Sequence, residues 1–298
     1  MSSSRRVSQL AYWSILVAFA VMGIKFVAWW LTGSAALYSD ALESIVNVIA
    51  AIIAWIAIGI SNKPADRNHQ YGHQKAEYFS AVVEGVLIVL AALLIFYSAY
   101  GALSVDHQIV APVQGMLVNG IAAAINAFWA WLLISTGARE KSPALLADGR
   151  HILADVVTSI GVLAGLILTI ATGWIVLDAI MAFVVGANVL REGWKVVASS
   201  VDGLMDVALD AEEAKLIEDT ILANATGAIE VHDIKTRASG PVSFVEFHLV
   251  VDGSMSVKAA HGICDRIEAA IHSVVAGAKT TIHVEPDSKE KDSGLKIS

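Results

Sequence analysis

His151 and Asp155 stand four residues apart in the apolar run HILADVVTSIGVLAGLILTIATG, and Glu43 and Asn47 stand four apart in ALYSDALESIVNVIAAIIAWIAIGI. Residues at that spacing share one face of a helix, so each pair can present two ligand atoms to a single point. Two such helices supply four donors, the number a tetrahedral divalent metal prefers. Ionised Glu43 and Asp155 contribute two negative charges, which one divalent cation cancels. Ionisable side chains are costly at bilayer depth and mark functional sites there. Metal ligands must shed protons to bind, so a site of this kind can exchange a metal ion against protons. Asp40, Glu84, Asn126 and Asp178 are polar in or near the same apolar stretches, but each lacks a partner at ligand spacing. For them we expect helix-end or packing roles.

Two further clusters carry metal-ligand chemistry. In PADRNHQYGHQKAE, Asp66, His69 and His73 place one carboxylate and two imidazoles within eight residues of a polar loop. A loop holds ligands less rigidly than a helix does, so a weaker or regulatory site is expected. Nearer the C-terminus stand His232, His248, His261 and His283, with Glu285. Alternate strand positions face one side, so His283 and Glu285 project together. His232 and His248 flank a turn and could meet them across a sheet, whereas His261 falls on a helix and joins only through the fold. Neutral imidazole is a common metal ligand, which favours a shared role for the group. His107 and His272 read as ordinary surface residues.

The elements that must position these residues follow from hydropathy and charge. Of the 298 residues, 56% are hydrophobic, above the roughly 45–50% apolar share of a soluble chain. Six stretches reach the ~20 residues a membrane helix needs: about 10–31, 35–61, 78–101, 113–136, 144–172 and 175–199. Residues 62–77 and 137–143 are polar loops. Arg5, Arg6, Lys63, Arg67, Lys75, Arg139 and Lys141 all fall on one side of the membrane, and the opposite connections hold no Lys or Arg. The positive-inside rule then makes both termini cytoplasmic. Trp29 and Trp30 suit an interfacial belt, and the Gly161–Gly165 spacing permits close helix packing. The first apolar segment is long and is not followed by a small-residue cleavage site, so it reads as a retained helix and not a signal peptide.

Charge is unevenly distributed. Residues 1–200 hold 11 basic and 11 acidic side chains, and residues 201–298 hold 9 basic and 17 acidic, which accounts for the whole formal charge of −8. An acidic soluble part argues against nucleic acid, whose binders carry a basic patch. With Cys264 as the single cysteine, no intrachain disulfide framework exists.

After Ser200 the periodicity changes. DAEEAKLIEDTILAN reads as an amphipathic helix capped by Asp210. IEVHDIKTRA and VSFVEFHLVVD read as strands joined by the Ser239-Gly240-Pro241 turn. SVKAAHGICDRIEAAIHSVV is again helical, and AKTTIHVEP is a last strand. The order α-β-β-α-β predicts a small ferredoxin-like α/β domain. The expected organisation is a cytoplasmic N-terminus over 1–9, an all-α six-helix transmembrane domain over 10–200, the ferredoxin-like domain over 206–286, and a disordered tail over 287–298.

With these pieces placed, the chain resembles the cation diffusion facilitators, and within them the bacterial zinc/iron-type exporters. TGSAALYSDALESIVN, PADRNHQYGHQKAE, ADGRHILADVVTSIG and HDIKTRASGP…VEFHLVVD…TTIHVEP carry the resemblance, which spans residues 10–286. It implies an inner-membrane homodimer, not an enzyme, that exports zinc or another divalent transition metal from the cytoplasm in exchange for protons. It also implies the metal as substrate and regulator, with no organic cofactor. Residue by residue, the transport site maps to Glu43, Asn47, His151 and Asp155, and the loop site to Asp66, His69 and His73. The cytoplasmic site, at a dimer interface, maps to His232, His248, His261, His283 and Glu285. A structural ion pair maps to Lys75 and Asp206.

Two departures bear on selectivity. The family's second-helix pair is usually His or Asp followed by Asp, where this chain has Glu43 followed by Asn47. Three oxygen donors and one nitrogen make a harder set, which admits manganese, iron, cobalt or nickel beside zinc. Glu285 stands where an aspartate is common, keeping the charge and changing the reach. The alternative reading is a membrane-anchored metal sensor that transports nothing, although a sensor needs no ligands at bilayer depth. An intramembrane metallohydrolase would need a motif such as H-E-x-x-H, which the chain lacks.

Overall fold

The computed structural model describes residues 3–32, 35–102, 113–172, 174 and 176–297. His107 and the side chains of Asp40, Glu43 and Asp178 lie outside the described residues. The chain divides into two compact units, Met1–Val201 and Asp202–Ser298.

The first unit is built from α1 (Ser3–Thr32), α2 (Ala35–Ser61), α3 (Ala76–Ala102), α4 (Val113–Arg139), α5 (Pro143–Thr172) and α6 (Val176–Leu204). At about 1.5 Å per residue each is long enough for a hydrocarbon layer of about 30 Å. Among the described residues, stretches of α1 to α4 are also apolar enough to cross a membrane. Local chemistry sets the ends. α2 stops three residues before Pro64, which cannot continue a helix. α5 opens with Pro143 at its first position, where a missing N–H costs nothing, and Ser142 Oγ accepts from the Leu145 amide at 3.4 Å.

α5 is the shared wall of two packed groups. On one side Ala144, Leu145 and Ile152 pack with Val7 and Ala11 of α1, Ala54 and Ile58 of α2, and Ala130 and Leu133 of α4. On the other, Ala147 packs with Ala81, Ile88 and Ala92 of α3 and with Val189 and Val196 of α6. The many alanines let backbones approach closely, as membrane helices require. Gly161 serves the same end, since a Cβ there would collide with Val185 of α6. Trp13, Phe19, Leu94 and Trp131 are exposed, an outer surface suited to lipid.

The second unit contains α7 (Ala211–Asn224), β1 (Glu230–Ser239), β2 (Val242–Val251), α8 (Val257–Val274), β3 (Lys279–Pro286) and β4 (Leu295–Lys296). The sheet runs β3-β2-β1-β4, with β1 antiparallel to β2 and β4, and β2 parallel to β3 across α8. Asp210 caps α7 by accepting from the Glu213 amide at 2.9 Å, and Ser256 caps α8 by accepting from the Ala259 amide at 3.2 Å. Val231, Val245, Phe247 and Leu249 face Ile217 and Ile221 of α7 and Ile263, Ile267 and Ile271 of α8, so both helices cover one face of the sheet. Alternation along the strands turns His232, His248 and His283 to the other face.

The segment after Pro286 corrects the expectation of a disordered tail. Asp287–Lys289 form a 3-10 turn, and β4 pairs with β1 in the register Glu230↔Lys296 and Val231↔Leu295. The segment is poor in apolar residues and rich in charge, which is why its composition reads as disorder. Its order comes from lysines that meet acidic side chains of the sheet.

Candidate metal centres

Within the first unit, Asn47 of α2 and His151 and Asp155 of α5 converge, all at most 7% exposed. Asn47 Oδ1 lies 2.9 Å from His151 Nε2, and Asn47 Nδ2 donates to Asp155 Oδ2 at 3.3 Å. The ionised carboxylate only accepts, so the amide nitrogen must face Asp155 and the amide oxygen must face His151. His151 Nε2 therefore carries the proton and donates. A metal ion taking that nitrogen would have to displace the proton. Glu43 lies four residues before Asn47 on the same helix, its side chain outside the described set.

Two more side chains reach the same carboxylate. Lys25 of α1 is 2% exposed, and its Nζ donates to Asp155 Oδ2 at 3.0 Å and Oδ1 at 3.2 Å. Asn126 of α4 donates from Nδ2 to Asp155 Oδ2 at 2.8 Å. The packing role expected for Asn126 is thus a polar one. The neighbouring buried acids are held differently, by hydroxyls: Asp148 by Ser14 at 2.7 Å, Glu84 by Ser80 at 3.1 Å, and Glu77 by Ser61 and Ser142.

In the loop, Asp66 Oδ1 lies 3.3 Å from His69 Nδ1 and Asp66 Oδ2 lies 3.4 Å from His73 Nε2. The two rings stand 4.4 Å apart, and one ligand atom from each of the three residues fits within 4.8 Å. Asp66 also accepts from the amides of Asn68 at 2.8 Å and His69 at 2.7 Å, a turn that fixes its direction. Those donors, the His69 amide above all, hold its carboxyl below the usual range. Gly72, at φ +102°, allows the chain to turn back and bring His73 in.

In the second unit, register alone aligns the histidines of the sheet: His232 pairs with His248 and His248 with His283, giving ring separations of 5.1 and 4.9 Å. Glu285 reaches all three, with oxygens 3.2 Å from His232 Nε2, 3.5 Å from His248 Nδ1 and 3.6 Å from His283 Nε2. His232 Nε2 and His248 Nδ1 nevertheless make no aligned hydrogen bond. Buried nitrogens gathered round one carboxylate but not bonded to it suit a shared cation. The donor set therefore fits a transition-metal ion.

Both parts of the chain are similar to known proteins. A cation efflux transmembrane domain matches residues 11–205, and the cytoplasmic domain of cation efflux proteins matches residues 209–287. The chain belongs to the cation efflux family. An uncharacterized transporter of Synechocystis sp. is 39% identical over 284 residues, covering 95% of this chain and 92% of that protein. The cation-efflux pump FieF of Escherichia coli is 32% identical over 291 residues, covering 96% and 95%. The metal-bound C-terminal domain of the CzcD transporter from Thermotoga maritima aligns with 28% of this chain and 100% of its own, at 29% identity and a TM-score of 0.25. The chain is thus a membrane protein of a cation transporter family.

Against the residues expected of a cation efflux protein, His261 stands apart. It lies on α8, beyond the helix-covered face of the sheet, 72% exposed and 3.6 Å from Asp265. Asp206 accepts from Arg237 at 3.0 Å within the second unit, while Lys75 belongs to the first. Two acids not expected at the cytoplasmic cluster do belong there. Asp233 Oδ2 lies 4.0 Å from His248 Nδ1, and a ligand atom of His232, Asp233 and His248 each fits within 4.8 Å. Strict alternation would send Asp233 to the opposite face from His232. A bulge between His232 and Lys235, with Asp233 at φ +52°, brings it round. Glu230, fully buried, accepts from His232 Nδ1 at 2.9 Å, and Lys296 Nζ donates to it at 2.5 Å. Lys296, with the Lys291 amide and His232, holds the Glu230 carboxyl down at about 2. Lys291 Nζ donates to Asp233 at 2.6 Å.

Proposed function

We propose that this protein exports a divalent transition-metal cation, zinc foremost, from the cytoplasm in exchange for protons, by alternating access across an inner membrane. The observation that carries the reading is the convergence of Asn47, His151 and Asp155 on one buried point from α2 and α5. In this reading Glu43 completes the transport site, and the proton on His151 Nε2 leaves when a metal ion arrives. The loop trio Asp66, His69 and His73 serves as a secondary cation site near the membrane.

The cytoplasmic cluster of His232, His248, His283 and Glu285 acts as a regulatory site in a homodimer. His261 lies on the wrong side of the sheet to join it within one chain, so it would contribute from a second copy. Both termini face the cytoplasm. Manganese, iron, cobalt, nickel and cadmium are further candidate substrates, since the oxygen-rich set is harder than a two-imidazole site.

The test is uptake of zinc, manganese, iron, cobalt, nickel and cadmium into proteoliposomes holding the purified protein, with and without a pH gradient. Gradient-dependent zinc uptake is expected. Metal binding with no uptake under either condition would favour the sensor, and uptake indifferent to the gradient a passive channel.

A further inference from the structure

Lys25 is the buried charge that the metal-ligand scheme leaves unused. Its side chain is 1% exposed, that of Asp155 is 4% exposed, and the ammonium spans both carboxylate oxygens. Asp155 Oδ2 accepts from Lys25, Asn126 and Asn47 together, and Oδ1 accepts from Lys25. A carboxylate offers about four lone-pair sites. Three groups make four contacts with it, and Oδ2, which takes three of them, has more partners than its two lone pairs. The ammonium touches both oxygens, so an ion that ligates Asp155 meets the Lys25 charge whichever oxygen it takes.

The ammonium is the donor with the means to move. It ends a flexible four-carbon stem, whereas Asn47 and Asn126 are short amides fixed on α2 and α4. Its positive charge is also of the same sign as the entering ion, so the two repel at close range in a low-dielectric interior. We propose that the Lys25 ammonium is the resident cation of the Asp155 carboxylate, a tethered charge that a metal ion must displace to occupy the transport site. This rests on the reading of Asn47, His151 and Asp155 as that site. Lys25 then does two things. It keeps the site neutralised between metal ions, when an unpaired carboxylate would be expensive. It also weakens metal binding, so that a captured ion can be released when the ammonium returns.

A static ion pair that merely ties α1 to α5 predicts the opposite response to its removal. The measurement is zinc titration by calorimetry on full-length protein in detergent, carrying His73→Ala and His248→Ala to silence the loop and cytoplasmic clusters. The heat that disappears with Asp155→Asn is the transport-site component. Lys25→Met, nearly isosteric and uncharged, should tighten that component at least tenfold, about 1.4 kcal/mol. In proteoliposomes it should lower both KM and maximal rate for zinc. Lys25→Arg keeps the charge and adds a fork that grips a carboxylate, so its zinc affinity should equal the native value or fall below it.

Equal or weaker zinc binding in Lys25→Met overturns the inference, and so does tighter binding in Lys25→Arg, a variant that preserves the pair should Lys25→Met fail to fold. A native protein whose zinc binding is indifferent to Asp155→Asn would sink the transport-site reading and this inference with it. A component that is present yet does not tighten sinks the inference alone.

Discussion

Asn47 Oδ1 stands 2.9 Å from His151 Nε2, across the boundary between α2 and α5. Because the same amide turns its nitrogen to Asp155, one neutral side chain sets the proton position on the imidazole and supplies a donor to the carboxylate. A second carboxylate at this position would accept from the imidazole equally well but could not donate to Asp155.

Asn47→Leu leaves His151 Nε2 and Asp155 each one partner short in a dry setting. It should cost roughly 1–3 kcal/mol in stability and abolish zinc uptake. Asn47→Asp should keep zinc uptake, since the oxygen ligand remains. Thermal unfolding in detergent and proteoliposome uptake check both, and an active Asn47→Leu protein would remove Asn47 from the site.

Gly72→Ala should weaken metal binding by the loop. At φ +102° an added Cβ is strained by about 1–2 kcal/mol, and the turn that brings His73 to Asp66 would open. Cadmium titration of the native and variant proteins reads this directly. Asp66→Ala should remove loop binding altogether, because the loop's one carboxylate within reach of both rings is lost.

How much of this was legible in the sequence depends on the distance over which each signal acts. Asn47, His151 and Asp155 were readable because helical spacing is local and polar pairs in apolar runs stand out. The partner of Lys25 was not, since Asp155 is 130 residues away and a lone lysine carries no spacing signal. Asn126 likewise has no partner at helical spacing, and Asp155 is 29 residues away. The row of His232, His248 and His283 followed from strand alternation, but Asp233 did not, because a bulge breaks the alternation where it matters. The closing segment misled for another reason: composition reports how little apolar surface a segment can bury, and Lys291 and Lys296 are held by specific acids instead.

The contact of Lys296 with Glu230 gives a pH dependence with a definite sign. Glu230 has its carboxyl lowered from 4.5 to about 2 in the folded protein. Its contribution to stability is fully present above the unfolded value and is lost as pH falls from 4.5 to about 2. Native protein and Lys296→Ala should therefore differ in denaturant midpoint of the cytoplasmic domain at pH 7 and converge as pH approaches 2. A gap that persists unchanged across that window would mean that Lys296 stabilises by other means.

Cys264 should react slowly. It is 4% exposed on the core-facing side of α8, and burial, with Glu268 and Asp265 nearby, pushes its thiol up. The reactive thiolate is then scarcer at neutral pH than in an exposed cysteine. Labelling with a thiol reagent at pH 7.5 should lag far behind labelling in denaturant, and rapid labelling of folded protein would contradict the packing of α8 on the sheet.

The most direct test of the central claim is zinc uptake by proteoliposomes containing native or Asp155→Ala protein under an imposed pH gradient. The account predicts gradient-driven uptake by the native protein and none above empty vesicles by the variant. Uptake by Asp155→Ala at the native rate would contradict it, because the ion would then be crossing by a route that bypasses the buried convergence of α2 and α5.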